Sequence, residues 1–141
     1  MKRTLMAACI ALALVGCMRI EKHDDLGQAC LGEVEAWDTG SVAIEAGEPT
    51  PVTVVFSECS SGSVDWSEQG CTVEVQDGDV LVTTFVRSAT PRRAQTDSCN
   101  WVSWDCGTVE LDEGEHTLTY GAGQTTLDVP YAGAAVCVEN R

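Results

Sequence analysis

The sequence predicts an all-β domain: an antiparallel sandwich of about seven to nine short strands, Ig-like or fibronectin-like in topology, with a small barrel as the alternative. Three observations predict it. From Cys30 onward, segments such as "PVTVVF", "CTVEVQDGDVLVTTFV" and "TTLDVP" are rich in Val, Thr and Ile, and Gly, Pro, Asp or Ser separate them. No stretch after residue 30 carries the i, i+3, i+4 apolar spacing of an amphipathic helix. Asp77-Gly78 lies between two alternating runs, where a two-residue turn needs positive φ at both central positions.

The elements divide into three parts in chain order. Residues 1–16 read as a signal-peptide helix: Met1-Lys2-Arg3 is basic, and Leu5 to Gly16 is an apolar run of twelve residues. That run is shorter than the roughly 20 residues a membrane-spanning helix needs. Residues 17–29 read as a polar tether, "MRIEKHDDLGQ" for the most part; eleven extended residues reach at most about 35–40 Å. Residues 30–141 read as the folded domain, and a chain of 141 residues has one domain as its natural expectation.

Eight cysteines share out among these parts. Cys9 leaves with the leader. Cys30, Cys59, Cys71, Cys99, Cys106 and Cys137 form an even set, as exported chains of this size use for disulfides. An echo guides the pairing: Thr72–Asp79 reappears as Thr108–Glu115, each copy a strand entering an acidic Gly turn with a cysteine just before it. The expected bridges are Cys59–Cys71 and Cys99–Cys106, each closing a Trp-containing loop, and Cys30–Cys137, joining the chain ends. Each would add roughly 2–4 kcal/mol. Only eight aromatic residues (four Trp, two Tyr, two Phe) are present to build a core.

The formal charge is −14, from 22 acids against 8 bases. A nucleic-acid partner is therefore not expected, nor a polybasic grip on anionic lipid. Acids interleaved with Val, Leu and Thr describe a solvated folded surface. The basic island Arg92-Arg93 reads as a balance to the surrounding acids; an acidic partner or polysaccharide is the other reading.

Chemistry-bearing residues are sparse. His23 falls in the tether and His116 at the start of a strand, expected there as a sheet-surface residue, and no G-x-S-x-G motif occurs. An enzyme is not expected, and no catalytic residue is assigned. No C-x-x-C and no His pair has zinc spacing, so no metal ligand and no cofactor is assigned. Asp77 and Asp79, or Asp112, Glu113 and Glu115, offer oxygens to calcium without EF-hand spacing, and such acids are also ordinary turn chemistry. In "CNWVSWDC", Trp101 and Trp104 stand three positions apart. In a strand-like segment they face opposite sides, one into the core and one outward. Together they are the candidate ligand-binding residues: an aromatic platform for a sugar or a protein anchor.

Leu14-Val15-Gly16-Cys17 resembles a bacterial lipobox. The resemblance implies that the Cys17 thiol takes diacylglycerol, that cleavage precedes it, and that its amine is acylated, palmitate being the typical chain. Two or three acyl chains hold a protein stably on a membrane. Met18, rather than Asp, follows the cysteine; by similarity to Gram-negative lipoprotein sorting this implies the outer membrane, facing periplasm or cell surface. The whole chain resembles the small secreted lipoproteins of deltaproteobacteria, of the myxobacterial type. "LVGC", the spaced Cys–Trp segments and "LDEGEHTLTYGAGQTTLDVP" carry the resemblance, the last looking like the closing hairpin of bacterial Ig-like domains, with Gly114 before one strand and Val129-Pro130 ending the next. It implies a β-sandwich and transfers no site residue. The expectation is a lipid-anchored envelope protein, a non-enzymatic binding or structural module that displays loops 60–70 and 90–105 to an envelope protein or glycan. A calcium- or carbohydrate-binding module is the alternative, and an envelope hydrolase comes third.

Overall fold

A computed structural model describes residues 18–34, 40–61, 64–91 and 97–140, the side chains of 58–61, 91 and 97–100 excepted. The leader, Cys9, Cys17 and Arg92-Arg93 lie outside the described residues. Those described form eleven strands and no helix: β1 Met18–Asp24, β2 Gln28–Leu31, β3 Ser41–Ile44, β4 Pro49–Ser61, β5 Asp65–Gln76, β6 Asp79–Pro91, β7 Asp97–Glu110, β8 Gly114–Tyr120, β9 Gly123–Val129, β10 Tyr131–Ala134 and β11 Val136–Glu139.

β6 organises one sheet. Its residues 79–88 alternate exposed and buried without interruption, so Val80, Val82 and Val86 point into the core while Leu81, Phe85 and Arg87 point out. β5 pairs along one side of β6 through the turn at Asp77-Gly78, whose φ values of 51° and 90° are those the hairpin requires. On the other side β8 takes Asp79–Val82 and β1 takes Phe85–Pro91, with β9 beyond β8. The β6–β8 pairing is parallel, so this five-stranded sheet is mixed where an antiparallel one was expected. The second sheet runs β11-β2-β4-β7, all antiparallel. β3 and β10 form a separate two-stranded ribbon.

The sheets face each other across one core. Val80, Val82, Val86, Leu118, Tyr120 and Leu127 of the first sheet meet Leu31, Val52, Val54, Phe56, Trp104 and Val138 of the second. An aromatic group crosses this core, with Phe56 edge-on to both Trp66 and Trp104 at 5.0 and 5.4 Å between centroids. Such contacts add about 0.5–1.5 kcal/mol each beyond burial. Tyr120 fixes the corner between β1 and β2: its hydroxyl donates to Leu26 O at 2.8 Å and shares a hydrogen bond with Thr84 Oγ1 at 2.7 Å. Burial pushes the Tyr120 phenol up to about 12, against a smaller opposing effect of the Thr84 bond.

Several expectations change. Met18–Asp24 is an edge strand of the sheet and no tether, paired from Met18↔Pro91 to Asp24↔Phe85. The Trp-containing stretches are not loops: Asp65–Gly70 belongs to β5 and Asp97–Asp105 to β7. Cys30–Cys137 forms as expected, with Cα atoms 4.1 Å apart between β2 and β11. The pairings Cys59–Cys71 and Cys99–Cys106 do not form, because Cys71 bonds Cys106 at a Cα separation of 5.4 Å. That bond joins β5 of one sheet to β7 of the other, closing one side of the sandwich. The backbone register of β4 and β7 sets Cys59 opposite Cys99. Equivalent positions of the echo therefore face each other, which local loop closure does not reveal.

Candidate functional site

The candidate site is built on the outer face of the four-stranded sheet. Along β7 the odd spacing separates the two tryptophans as the strand period demands. Trp104 is 7% exposed in the core, and Trp101 is 38% exposed on the far face. Trp101 lies opposite Ser57 of β4; one step along, Val55 pairs with Gln28 of β2, and Gln28 with Glu139 of β11. These residues share one face because directly paired antiparallel residues point the same way.

They line a shallow concavity of about 300 Å³, with Leu26, Gly27 and Phe56 completing it. Gly27 forms part of its wall for a steric reason. Its φ is +84°, and a Cβ there would run into the Val55 carbonyl and Phe56. The chain end borders the same region, since the Asn140 amide N–H donates to Gly27 O at 3.3 Å and its side-chain amide donates to Asp25 O at 3.0 Å. The concavity thus offers an indole surface, a side-chain amide that donates and accepts, a hydroxyl and a carboxylate.

A second concavity of about 310 Å³ lies on the outer face of the other sheet around Phe85. Its ring already lies against Gly70, where a Cβ would strike it, and Lys22 Nζ stands 5.5 Å from its centroid. Lys22 also pairs with Asp24 at 2.7 Å. Phe85 is thus committed to contacts within its own sheet, covering a strand glycine.

Both histidines make contacts within the fold. His116 is buried at 6% exposure and is not the surface residue expected. Its Nδ1 lies 2.8 Å from Gly78 O and its Nε2 2.7 Å from Asp112 O, so one ring pins the turns of both echo copies together. His23 Nε2 lies 3.0 Å from Ser88 Oγ, and Ser88 is buried at 3% exposure. Asp77, Asp79, Asp112, Glu113 and Glu115 are all exposed at turns or the strand ends beside them, and among the described residues no group of three or more His, Cys, Asp or Glu is placed to hold a metal. No described helix is long and apolar enough to cross a membrane.

The chain matches no protein-family model, no curated protein and no solved structure. Sequence reasoning singled out Trp101 and missed Gln28, Ser57 and Glu139. Those three reach the site only through strand register, which leaves no local signal.

Proposed function

We propose that this protein is a lipid-anchored, non-enzymatic module of a bacterial envelope that binds a neutral glycan on the outer face of its four-stranded sheet. The observation that carries the reading is Trp101, turned outward beside Gln28, Ser57 and Glu139 while Trp104 fills the core. An exposed indole stacks on the apolar face of a pyranose, and neighbouring amide, hydroxyl and carboxylate groups address its hydroxyls. Charge selects among glycans: residues 17–141 carry 6 − 22 = −16, which disfavours a polyanionic polysaccharide. The anchor rests on the lipobox-like "LVGC" and on disulfide bonding, which belongs to oxidising compartments.

An Ig-like or fibronectin-like role as a presenting scaffold agrees with two packed sheets, though the parallel β6–β8 pairing departs from the antiparallel pattern. The calcium-module reading gains no support from the exposed acidic turns. The reading is tested by calorimetric titration of cello-, malto- and chito-oligosaccharides into the protein and its Trp101→Ala variant. Binding by the parent that the variant loses, while the variant keeps the parent's far-UV circular dichroism, supports it. No heat from any of the three series, or equal binding by the variant, overturns it.

A further inference from the structure

We infer that the sandwich does not swing on a tether but lies directly on the bilayer, with the beginning of β1 as its membrane-facing surface; this rests on the lipid anchor at Cys17. The sheet captures the chain from Met18 onward, through seven residues of register with β6. Adjacent Cα atoms are 3.8 Å apart, so a lipid on Cys17 leaves no slack between acyl chains and sheet.

The side chains of β1 are arranged for such a surface. In an edge strand of a soluble sandwich the apolar residues turn inward and the polar ones outward. β1 does the reverse. Glu21 and His23 are half-buried on the inner side, His23 against Ser88. Ile20 is 70% exposed and Met18 56%. These are the two most exposed large apolar side chains among the described residues; Val75, Leu81, Phe85 and Trp101 lie between 38% and 45%. Both sit within three positions of Cys17, and the ion pairs Arg19–Glu21 and Lys22–Asp24 follow along the strand. A slip of one residue would bury Ile20. The observed register instead places it outward at the end of the sheet where the acyl chains must enter the membrane.

Two exposed apolar side chains beside a lipidated cysteine match the interface of a bilayer, and their contact gives the module a fixed orientation. Strand geometry then sets how far the rest stands off. Leu81 lies ten residues from Pro91 along β6, roughly 33 Å at 3.3 Å per residue.

The test is photocrosslinking in native membranes with p-benzoylphenylalanine at position 20 or, as control, position 81. Both parent side chains are exposed, so neither variant disturbs the core. Palmitate incorporation is measured in the same preparations. Labelled protein that gives several-fold more phospholipid adduct at position 20 than at 81 supports the inference. Labelled protein with equal adducts, or with protein adducts dominating at position 20, overturns it and leaves the anchor standing. Protein without palmitate overturns both.

Discussion

Replacing Cys71 and Cys106 together by alanine tests how the sandwich is closed. The bond joins residues 35 apart in sequence. In the chain-entropy description, cross-linking removes about 2.1 + 1.5R ln n of entropy from the unfolded chain, here about 13 cal/mol/K or about 4 kcal/mol at 25 °C. Both cysteines are half-buried against the core, so the lost packing adds little. With a urea slope of about 2 kcal/mol/M, the unfolding midpoint falls by about 2 M. Equilibrium urea unfolding without reductant measures this, and alkylation before reduction counts thiols in the same samples. The two cysteines pair with each other, so their joint removal exposes no new thiol. Had the local pairings Cys59–Cys71 and Cys99–Cys106 formed, the variant would strand Cys59 and Cys99. Two new alkylated thiols in the variant would refute the pairing, whatever the stability change.

Other outcomes follow from the packing. Trp104→Ala removes a buried indole that Phe56 meets edge-on and should cost about 3–5 kcal/mol in the same unfolding assay. Trp101→Ala should cost less stability than Trp104→Ala, since its indole is 38% exposed against 7%, while abolishing any glycan binding. His116→Ala removes the buried ring that faces the Gly78 and Asp112 carbonyls, taking away the donor of at least one of them, and should cost about 1–3 kcal/mol. Tyr120 has a folded-state pKa of about 12 against an ordinary 10.0. Its contribution is complete below pH 10 and is lost as pH rises from 10 towards 12. In brief alkaline titrations, Tyr120→Phe should start less stable at neutral pH and show a shallower decline over that window.

How far the sequence reaches depends on whether a feature is local. The alternation over residues 79–88 and the Asp77-Gly78 turn are properties of neighbouring residues, and the β5–β6 hairpin follows from them. The split of Trp101 from Trp104 needs only the strand period. β1 was hidden because an edge strand that turns Met18 and Ile20 outward shows no buried apolar stripe; backbone pairing to β6 holds it. Cys71–Cys106 leaves no local signal because it spans two sheets, whereas sequence spacing favours the closure of short loops. The burial of His116 has no sequence signal because its partners are backbone carbonyls, one from a turn 38 residues away. Gln28, Ser57 and Glu139 come from three strands of one sheet, and only their register makes them neighbours of Trp101.

The central claim is a lipid-anchored, disulfide-closed module. The most direct measurement is the intact mass of the protein extracted from native membranes in detergent, alkylated first without and then with reduction. The expected mass is that of residues 17–141 plus diacylglycerol and any N-acyl chain. Six cysteines, Cys30, Cys59, Cys71, Cys99, Cys106 and Cys137, should be labelled only after reduction. A mass that begins at another residue without lipid, or thiols labelled before reduction, would contradict it.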